Sequence, residues 1–379
     1  MRNTHRRSGA PFIIALLFVL LLAVLTFSAY WILTRVEQRF GPPARQLSLL
    51  KSLRYGFQLY RSEDALLNIP QIAQPKVKLT IAENSSVTDL CRELQSVGLV
   101  QQSATSCAYL VYSGRDRAVQ PGTYTLEAGL TELEILQRTT DVAYRDLVVR
   151  IFAGWRLEEV LKALVDAGFT IDAAEFQAAA LDPNETVRNT LDLPPGASFE
   201  GYFCPGLHTI EPKSDVASIL NTLTACHPSR LQDPQVTERL AAVGLTYHQA
   251  ITLASIIQRE TAAVEEMPMI ASVFYNRLAQ GMKLETDPTV QYAIGYDEHL
   301  QTWWKAPLTL SDLQTDSAYN TYRHTGLPPG PISSPAEETV AAVLNPAQSE
   351  YIFFRAKCDG SMTHVFSITY QEHLDNACD

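Results

Sequence analysis

The chain has 379 residues, which is long enough for two or more folding units and a tail. With 46% hydrophobic and 19% charged residues, its composition is ordinary for a globular protein that carries one membrane segment. The net charge of -11, with no long basic run beyond the N-terminus, argues against nucleic acid as a partner.

Residues 11–33 form a long uncharged apolar run. As a helix at about 1.5 Å per residue it would span roughly 35 Å, enough for the hydrocarbon core of a bilayer. Arg2, Arg6 and Arg7 precede it and favour a cytoplasmic N-terminus, residues 1–10, with the rest of the chain extracytoplasmic. A cleaved signal peptide is the alternative, but the run is long for one and lacks an Ala-x-Ala site. We expect a single-pass protein of the plasma (inner) membrane.

Residues 34–75 have mixed charge and several prolines, and they are predicted to form a juxtamembrane stalk. From Lys76 a strand-then-helix pattern begins, and the same pattern occurs again further along the chain. Five positions of the two copies correspond: Ile81 with Ile151, Val87 with Leu157, Leu90 with Val160, Leu94 with Leu164, and Gly98 with Gly168. A chance likeness of two common αβ units is the alternative. A strand at 122–126 and a short helix at 130–136 are predicted between the copies.

All six cysteines follow the apolar run, and an even number in an exported domain is compatible with disulfides. Cys91 with Cys107 and Cys358 with Cys378 are the candidates that lie near each other in sequence, although spacing alone does not decide the pairing. There is no Cys-x-x-Cys pair, and the histidines show no metal-ligand spacing. We therefore expect no metal site and no cofactor.

Aromatic residues surround a Glu200–Gly201 pair in the segment 199–205. A carbohydrate site needs flat apolar faces for the sugar ring and a few acids or amides for its hydroxyl groups. A surface turn packed on its own aromatic side chains has the same composition. The sequence leaves both readings open.

Glu260 lies on a predicted helix that begins near Tyr247, after a Thr246–Gln249 capping box. The apolar residues of this helix recur at helical spacing: Leu253, Ile256, Ile257 and Val264. Glu260 falls on the same stripe. Because an unpartnered buried carboxylate is costly, such a residue is paired, protonated or open to a cleft. A satisfied structural glutamate is the simplest alternative.

Two further helices are predicted after Glu260. One has Pro268 in its first turn and ends at Gly281, and the next begins at Thr286–Asp287 and continues through Ile294. Residues 311–335 are rich in turn formers, and a loop of this length is usually functional or disordered. Because its tyrosine, asparagine and threonine side chains can bond sugars, we favour a binding wall. A Ser334–Glu337 capping box and a hairpin of 351–355 with 364–367 are predicted after it.

The chemistry of the chain is limited by the motifs that it lacks. It has no Gly-rich phosphate loop, no Gly-x-Ser-x-Gly elbow and no Ser/Lys acyl-transfer motif. A carboxylic acid on an apolar helix face, on an exported domain with Tyr- and Asn-rich loops, fits cleavage of a glycosidic bond best. That reaction requires a carboxyl group that is protonated near neutral pH, and an apolar environment raises the pKa accordingly.

Several segments, in this order behind the N-terminal apolar run, resemble the endolytic murein transglycosylase family (MltG, or YceG-like). They are Ala254–Thr261, Val273–Leu278, Gly281–Leu284, Thr286–Val290, Tyr319–Tyr322, Gly326–Ile332 and His364–Phe366. The resemblance covers Lys76 to the C-terminus, and the motifs are specific as a set.

The resemblance implies an α+β chain with a single transmembrane helix, a small LysM-like αβ subdomain at 76–145 and a mixed α/β catalytic domain at 146–379 with a helix-borne glutamate. It implies that Glu260 is the catalytic acid and base. It also implies cleavage between N-acetylmuramic acid and N-acetylglucosamine in nascent glycan strands, with 1,6-anhydromuramoyl ends that terminate the strands. Glycan strands, and membrane peptidoglycan synthases, are the expected partners.

Six residues near these motifs are candidates for substrate binding: Glu200, Thr286, Asp287, Tyr319, Asn320 and Tyr322. The chain departs from the family pattern after Glu200–Gly201, where residues 204–208 replace an aromatic-Pro-acid-Thr-aromatic segment. Asn84 also stands where the strand-helix unit often has glycine. Two alternatives stay open, a catalytically silent, membrane-anchored glycan-binding scaffold and a hydrolytic muramidase. A generic soluble binding protein would require a cleaved anchor.

Overall fold

The protein is described by a computed structural model that covers residues 10–378, with side chains from residue 13 onward. The cytoplasmic N-terminus predicted for residues 1–10 therefore lies, except for residue 10, outside the described residues. Helices and strands are mixed along the chain, as expected for an α+β protein. The chain divides after Asp146 into two compact units.

The first unit begins with the long helix α1 (Ala10–Phe40), which is apolar enough to cross a membrane. Its remaining helices are α2 (Leu49–Arg61), α3 (Glu63–Leu67), α4 (Val87–Ser96), α5 (Ser103–Ser113) and α6 (Glu132–Arg138). Strands β1 (Lys76–Ile81) and β2 (Gly122–Glu127) pair antiparallel, with Lys76 opposite Glu127 and Ile81 opposite Gly122. Val36, Leu59 and Leu66 are buried in the same core as β1. The segment 34–75, predicted as a stalk, thus packs into the unit.

The second unit holds two more antiparallel pairs. They are β3 (Leu147–Ile151) with β4 (Gly206–Ile210), and β5 (Phe353–Ala356) with β6 (His364–Ser367). Its helices are α7 (Leu157–Asp166), α8 (Ala173–Leu181), α9 (Glu185–Leu191), α10 (Val216–Leu223), α11 (Cys226–Leu231), α12 (Pro234–Val243), α13 (Tyr247–Glu260), α14 (Met267–Ala279), α15 (Asp287–Ile294), α16 (Glu337–Leu344) and α17 (Tyr370–Asp375).

The predicted strand-helix unit forms twice, as β1–α4 and as β3–α7. Gly98 and Gly168 follow the two helices with φ of +74° and +101°, a region that favours glycine. The turn between strand and helix also needs a left-handed residue in both copies, Asn84 (φ +62°) and Gly154 (φ +82°). Asparagine tolerates this conformation better than most residues do, which explains how it replaces glycine there.

Helix α13 lies at the centre of the second unit. It begins with the predicted capping box, and nearly every side chain from Tyr247 to Ile257 is buried. Helices α14, α15 and α16 contact it. The helix ends at Glu260, and Val264, which is 51% exposed, lies in a separate 3-10 turn. The apolar stripe predicted to continue through Val264 was therefore wrong, because the helix stops one turn earlier.

The capping box predicted at Ser334–Glu337 was wrong, whereas the one at Thr246–Gln249 is confirmed. Helix α16 begins after Ala336, and no side chain of the preceding residues caps it. Instead Gln258 of α13 accepts hydrogen bonds at its Oε1 from the Ala336 N–H (2.9 Å) and from Thr339 Oγ1 (2.6 Å). This contact fixes α16 to the last turn of α13, directly before Glu260.

Three disulfides bond the cysteines of the described chain. Cys91–Cys107 and Cys358–Cys378 are the two pairs that sequence proximity favoured, and Cys204–Cys226 is the third. Cys204, Cys226 and His227 lie close enough to share an ion. Because the two cysteines are joined in a disulfide, however, they offer no thiolate ligand.

Candidate active site

Glu260 is the last residue of α13 and lines a cavity of about 470 Å³. Burial raises the pKa of its carboxyl to about 8, the negative charge of Asp287 adds to this, and the positive charge of Arg277 opposes it. The C-terminal end of a helix is also negatively polarised, which disfavours a carboxylate there. Glu260 is therefore largely protonated at neutral pH while its side chain stays in contact with the cavity.

One part of the cavity wall is acidic. Glu285 and Asp287 line it together with Glu260, and Tyr322 donates a 2.7 Å hydrogen bond from its hydroxyl to Asp287 Oδ1. Asp287 is exposed and is the first residue of α15, with Thr286 at the N-cap position. Two of the predicted substrate-binding residues, Asp287 and Tyr322, thus lie in the same cavity as Glu260.

Arg277 lines the cavity and is hydrogen-bonded to two neighbouring segments of the chain. Arg277 is 7% exposed, and its guanidinium donates from Nε to the carbonyl oxygen of Ile352 and from Nη1 to that of Leu284, each at 2.6 Å. The neighbouring Asn276 donates to the carbonyl oxygens of Ser349 and Tyr351. These bonds fix the segment that leads into β5, whose residues form part of the cavity wall. In the sequence analysis Arg277 lies within the family-like segment Val273–Leu278 and has no predicted role of its own.

Thr286 and Asn320 are not among the residues that line this cavity. Thr286 is 2% exposed, and its hydroxyl belongs to a buried cluster with those of Thr289 and Thr321. Asn320 is fully buried, and its amide donates to the carbonyl oxygens of Leu313 and Thr315 and accepts from the Tyr322 N–H. The polar groups of both residues are used to fold the loop that presents Tyr322, and substrate contacts of Thr286 and Asn320 stay a prediction.

Glu200 and Tyr319 belong to a different cluster. Glu200 is 4% exposed, and its carboxyl group accepts hydrogen bonds from the N–H groups of Leu157 (3.3 Å) and Gly201 (3.2 Å) and from the Tyr292 hydroxyl (3.4 Å). Burial raises the pKa of Glu200 to about 8, against the positive charge of Arg156. The ring of Tyr319 packs on that of Tyr292, with centroids 4.8 Å apart. Neither Glu200 nor Tyr319 lines the cavity of Glu260.

The aromatic segment around Glu200 is part of the core. Phe199, Tyr202 and Phe203 are buried, so they do not form the exposed sugar platform that was one of the two readings. Gly201 has a φ of +79°, and a Cβ there would lie 2.2 Å from Cβ of Pro331. The Glu-Gly pair is thus a tight turn against the loop 326–332.

Most of the second half of the long loop is also structural. The Ile332 N–H donates to Ser255 Oγ of α13 (3.0 Å), and residues 330–335 are buried. His248 bonds the carbonyl oxygen of Pro329 at 3.3 Å through Nε2, so Nδ1 accepts from the Tyr202 hydroxyl at 3.0 Å. Of the segment 311–335, which was predicted as a binding wall, Tyr322 lines this cavity, whereas residues 330–335 are buried and the backbone at Ile332 is hydrogen-bonded to α13.

The wall residues that sequence reasoning missed come from the C-terminal segment. Phe353 and Arg355 of β5 and Tyr370 and His373 of α17 line the cavity. The hairpin was predicted but its role was not, and α17 was overlooked. A Thr369–Glu372 capping box marks the start of α17 and could have revealed it.

Comparison with known proteins agrees with this architecture. The sequence model of the YceG-like family matches residues 79–379. A Bacillus subtilis (strain 168) protein named endolytic murein transglycosylase is 30% identical over 312 residues, covering 78% of this chain and 82% of that protein. A protein of the same name from Streptococcus pneumoniae strain D39 is 26% identical over 334 residues, and the match spans 59% of its length. The crystal structure of a YceG-like protein from Listeria monocytogenes aligns with a TM-score of 0.54 at 27% identity, covering 79% of this chain and 98% of that one.

Proposed function

Because the chain belongs to the YceG-like family, we propose that it is an endolytic murein transglycosylase in which Glu260 acts as acid and base. The observation that supports this most directly is a carboxyl group with a pKa of about 8 at the wall of an open cavity. The cavity also holds aromatic and polar side chains of the kinds that contact sugars.

The proposed reaction uses Glu260 twice. Its protonated carboxyl donates the proton to the glycosidic oxygen while the bond from that oxygen to C1 of N-acetylmuramic acid breaks. The carboxylate then accepts the proton of the muramoyl C6 hydroxyl, whose oxygen forms a bond to C1. One product has a free 4-hydroxyl on N-acetylglucosamine and the other a 1,6-anhydromuramoyl end. No water is consumed, and Glu260 is protonated again.

Neighbouring charges suit these two steps. Asp287, hydrogen-bonded to Tyr322, raises the pKa of Glu260 and so favours the acid form that begins the reaction. Arg277 lowers the same pKa and stabilises the carboxylate that exists between the steps. We assign Asp287 and Tyr322 to the substrate-facing wall, and Arg277 to positioning of Glu260 and of β5.

The family match also supports a cellular arrangement. In this proposal α1 anchors the chain in the plasma membrane, and the arginines at positions 2, 6 and 7 keep the N-terminus cytoplasmic. Residues 76–145 are proposed as a LysM-like subdomain and residues 146–379 as the catalytic domain. The enzyme would then cut nascent glycan strands near the membrane surface, next to the synthases that extend them, and terminate their growth.

Digestion of purified peptidoglycan by the full-length chain in detergent micelles tests the reaction type by mass spectrometry of the fragments. The proposal predicts 1,6-anhydromuramoyl ends. Fragments heavier by one water, with free reducing muramic acid, would instead identify a hydrolytic muramidase. Strands that bind but stay uncut would identify a glycan-binding scaffold.

A further inference from the structure

The cavity of Glu260 has a basic part as well as an acidic one. Arg277, Arg355 and His373 all line it. Burial lowers the pKa of His373, and the positive charges of the nearby Arg355 and Arg277 lower it further. Three cationic or protonatable side chains, from α14, β5 and α17, therefore form one cluster, which we call the basic wall.

The guanidinium of Arg355 is the least satisfied member of the basic wall. Among the described residues its one hydrogen bond runs from Nη1 to the carbonyl oxygen of His373 (3.1 Å), and no described carboxylate pairs with it. Arg277, in contrast, is bonded to two carbonyl oxygens. An arginine has five N–H donors in a planar fork, so Arg355 retains donors for a ligand in the cavity.

The basic wall is held in place before any ligand arrives. His373 stacks on Phe353 with ring centroids 5.3 Å apart, and its carbonyl oxygen binds Arg355. The Cys358–Cys378 disulfide joins the loop after β5 to the segment after α17. His373 Nδ1 is buried without a hydrogen-bond partner in the described part of the chain. Such preorganised donors bind an anion with little ordering cost.

We infer that Arg355, with His373 beside it, forms a carboxylate-binding subsite that recognises the acidic substituent of the muramic acid residue being cleaved. This rests on the proposed function, since it is murein that brings a carboxylate so close to a scissile bond. The carboxylate has two sources. One is the lactyl group of a muramic acid that carries no peptide, and the other is a carboxylate of the attached stem peptide. Both offer two oxygens to the planar fork of Arg355.

The acidic residues of the same cavity strengthen the assignment. Glu285 and Asp287 would repel a carboxylate placed beside them, so a carboxylate-bearing sugar has one favourable orientation in the cavity. Its acidic substituent faces the basic wall, and its glycosidic oxygen is left for Glu260. The subsite would thus select the register of the strand as well as bind it.

Steady-state cleavage by the full-length chain in detergent micelles tests this with matched substrates. They are glycan strands with stem peptides, strands freed of peptides by an amidase, and both kinds after conversion of their carboxylates to neutral methylamides. For the native protein we expect KM to rise about tenfold or more on conversion, with kcat little changed, because a charge-assisted hydrogen bond is lost. The lower KM between the two unconverted kinds identifies the source of the carboxylate.

In Arg355→Gln the KM for unconverted strands should rise by a similar factor. Conversion of the carboxylates to methylamides should then leave the KM of this variant unchanged. Arg355→Lys retains the positive charge without the planar fork of donors, so its KM for unconverted strands should lie between those of the native protein and Arg355→Gln. Arg239→Gln, at an exposed arginine of α12, is the matched control and should behave like the native protein. Circular dichroism and thermal unfolding confirm that each variant is folded.

Equal KM values of the native protein for unconverted and converted strands would overturn the inference, as would discrimination that persists in Arg355→Gln. Failure of the proposed function has a different signature, since the native protein would then form anhydro ends on none of the strands. In that case the dissociation constants of the same strands decide the inference, with the same dependence on the carboxylate and on Arg355 expected.

Discussion

Two glutamates of the second unit, Glu260 and Glu200, both have a raised pKa, but they differ in whether the carboxyl group is open to a cavity. Burial raises the pKa of each to about 8. Glu200 is enclosed, and two N–H groups and a tyrosine hydroxyl donate to its carboxyl. Glu260 lines a cavity, and no described residue donates a hydrogen bond to its side chain. A raised pKa alone therefore does not identify a catalytic acid, and the proposal for Glu260 rests on its raised pKa together with its position at an open cavity.

The largest effect is expected from Glu260→Gln. Removing the acid and base should lower the rate of anhydro-end formation by about 10²–10⁴-fold, which is the usual contribution of a general acid–base group. The variant should stay folded, because an amide of the same shape replaces a carboxyl that is already largely neutral. Product formation is measured by mass spectrometry. A rate within tenfold of the native one would refute the catalytic assignment.

The enclosure of Glu200 depends on Gly201. Gly201→Ala should lower the free energy of unfolding by more than about 2 kcal/mol, because the new Cβ would overlap Pro331 in addition to meeting backbone strain. Gly196→Ala is a matched control, since Gly196 has the same φ of +79° but open space around it. It should cost about 1 kcal/mol. Denaturant titration measures both, and equal losses would show that the close approach of Pro331 is unimportant.

Glu200 should make stability depend on pH. Because its folded pKa of about 8 lies above the unfolded value, its favourable contribution is complete below pH 4.5 and is lost as the pH rises towards 8. The free energy of unfolding should fall over this range with a slope of up to about 1.4 kcal/mol per pH unit. Glu200→Gln should remove the part of this slope that comes from Glu200 and leave the part that comes from Glu260, whereas Glu175→Gln, at an exposed site on α8, should leave the whole slope unchanged. Parallel pH profiles of native and Glu200→Gln protein would contradict the account.

The smallest predicted effect is a shift in the pH dependence of activity, which depends on the pKa of Glu260. Activity requires protonated Glu260, so kcat/KM should decline as the pH rises through about 8. Asp287→Asn removes a negative charge that raises this pKa, while its side-chain oxygen can still accept the Tyr322 hydrogen bond. The alkaline limb should move down by about half a unit to one unit. Asp316→Asn, at an exposed aspartate outside the cavity lining, is the control. An unchanged or upward-shifted limb in Asp287→Asn would exclude the proposed coupling.

Local signals predicted much of this architecture correctly. The capping box at Thr246, the prolines and glycines that bound α14, and the repeated strand-helix unit all depend on residues close in sequence, so the sequence alone reveals them. Glu260 was recognised because its position on an apolar helix has a physical cost. The family motifs then supplied a role for it.

Side-chain direction could not be predicted in the same way. Thr286 and Asn320 lie beside cavity residues in sequence, but their polar groups point into the protein because buried loops must satisfy their own backbone. The basic wall brings together Arg277, Arg355 and His373, which are far apart in sequence. The proximity of these three side chains depends on how β5, α14 and α17 pack in the folded protein, and residues close in sequence do not determine it.

The most direct measurement compares the glycan ends released by the native protein, Glu260→Gln and Glu200→Gln in one mass-spectrometric experiment. The account predicts 1,6-anhydromuramoyl ends from the native protein and from folded Glu200→Gln, and almost none from Glu260→Gln. Anhydro ends that persist in Glu260→Gln, or that disappear only in a fully folded Glu200→Gln, would contradict the assignment of the catalytic acid to the open site.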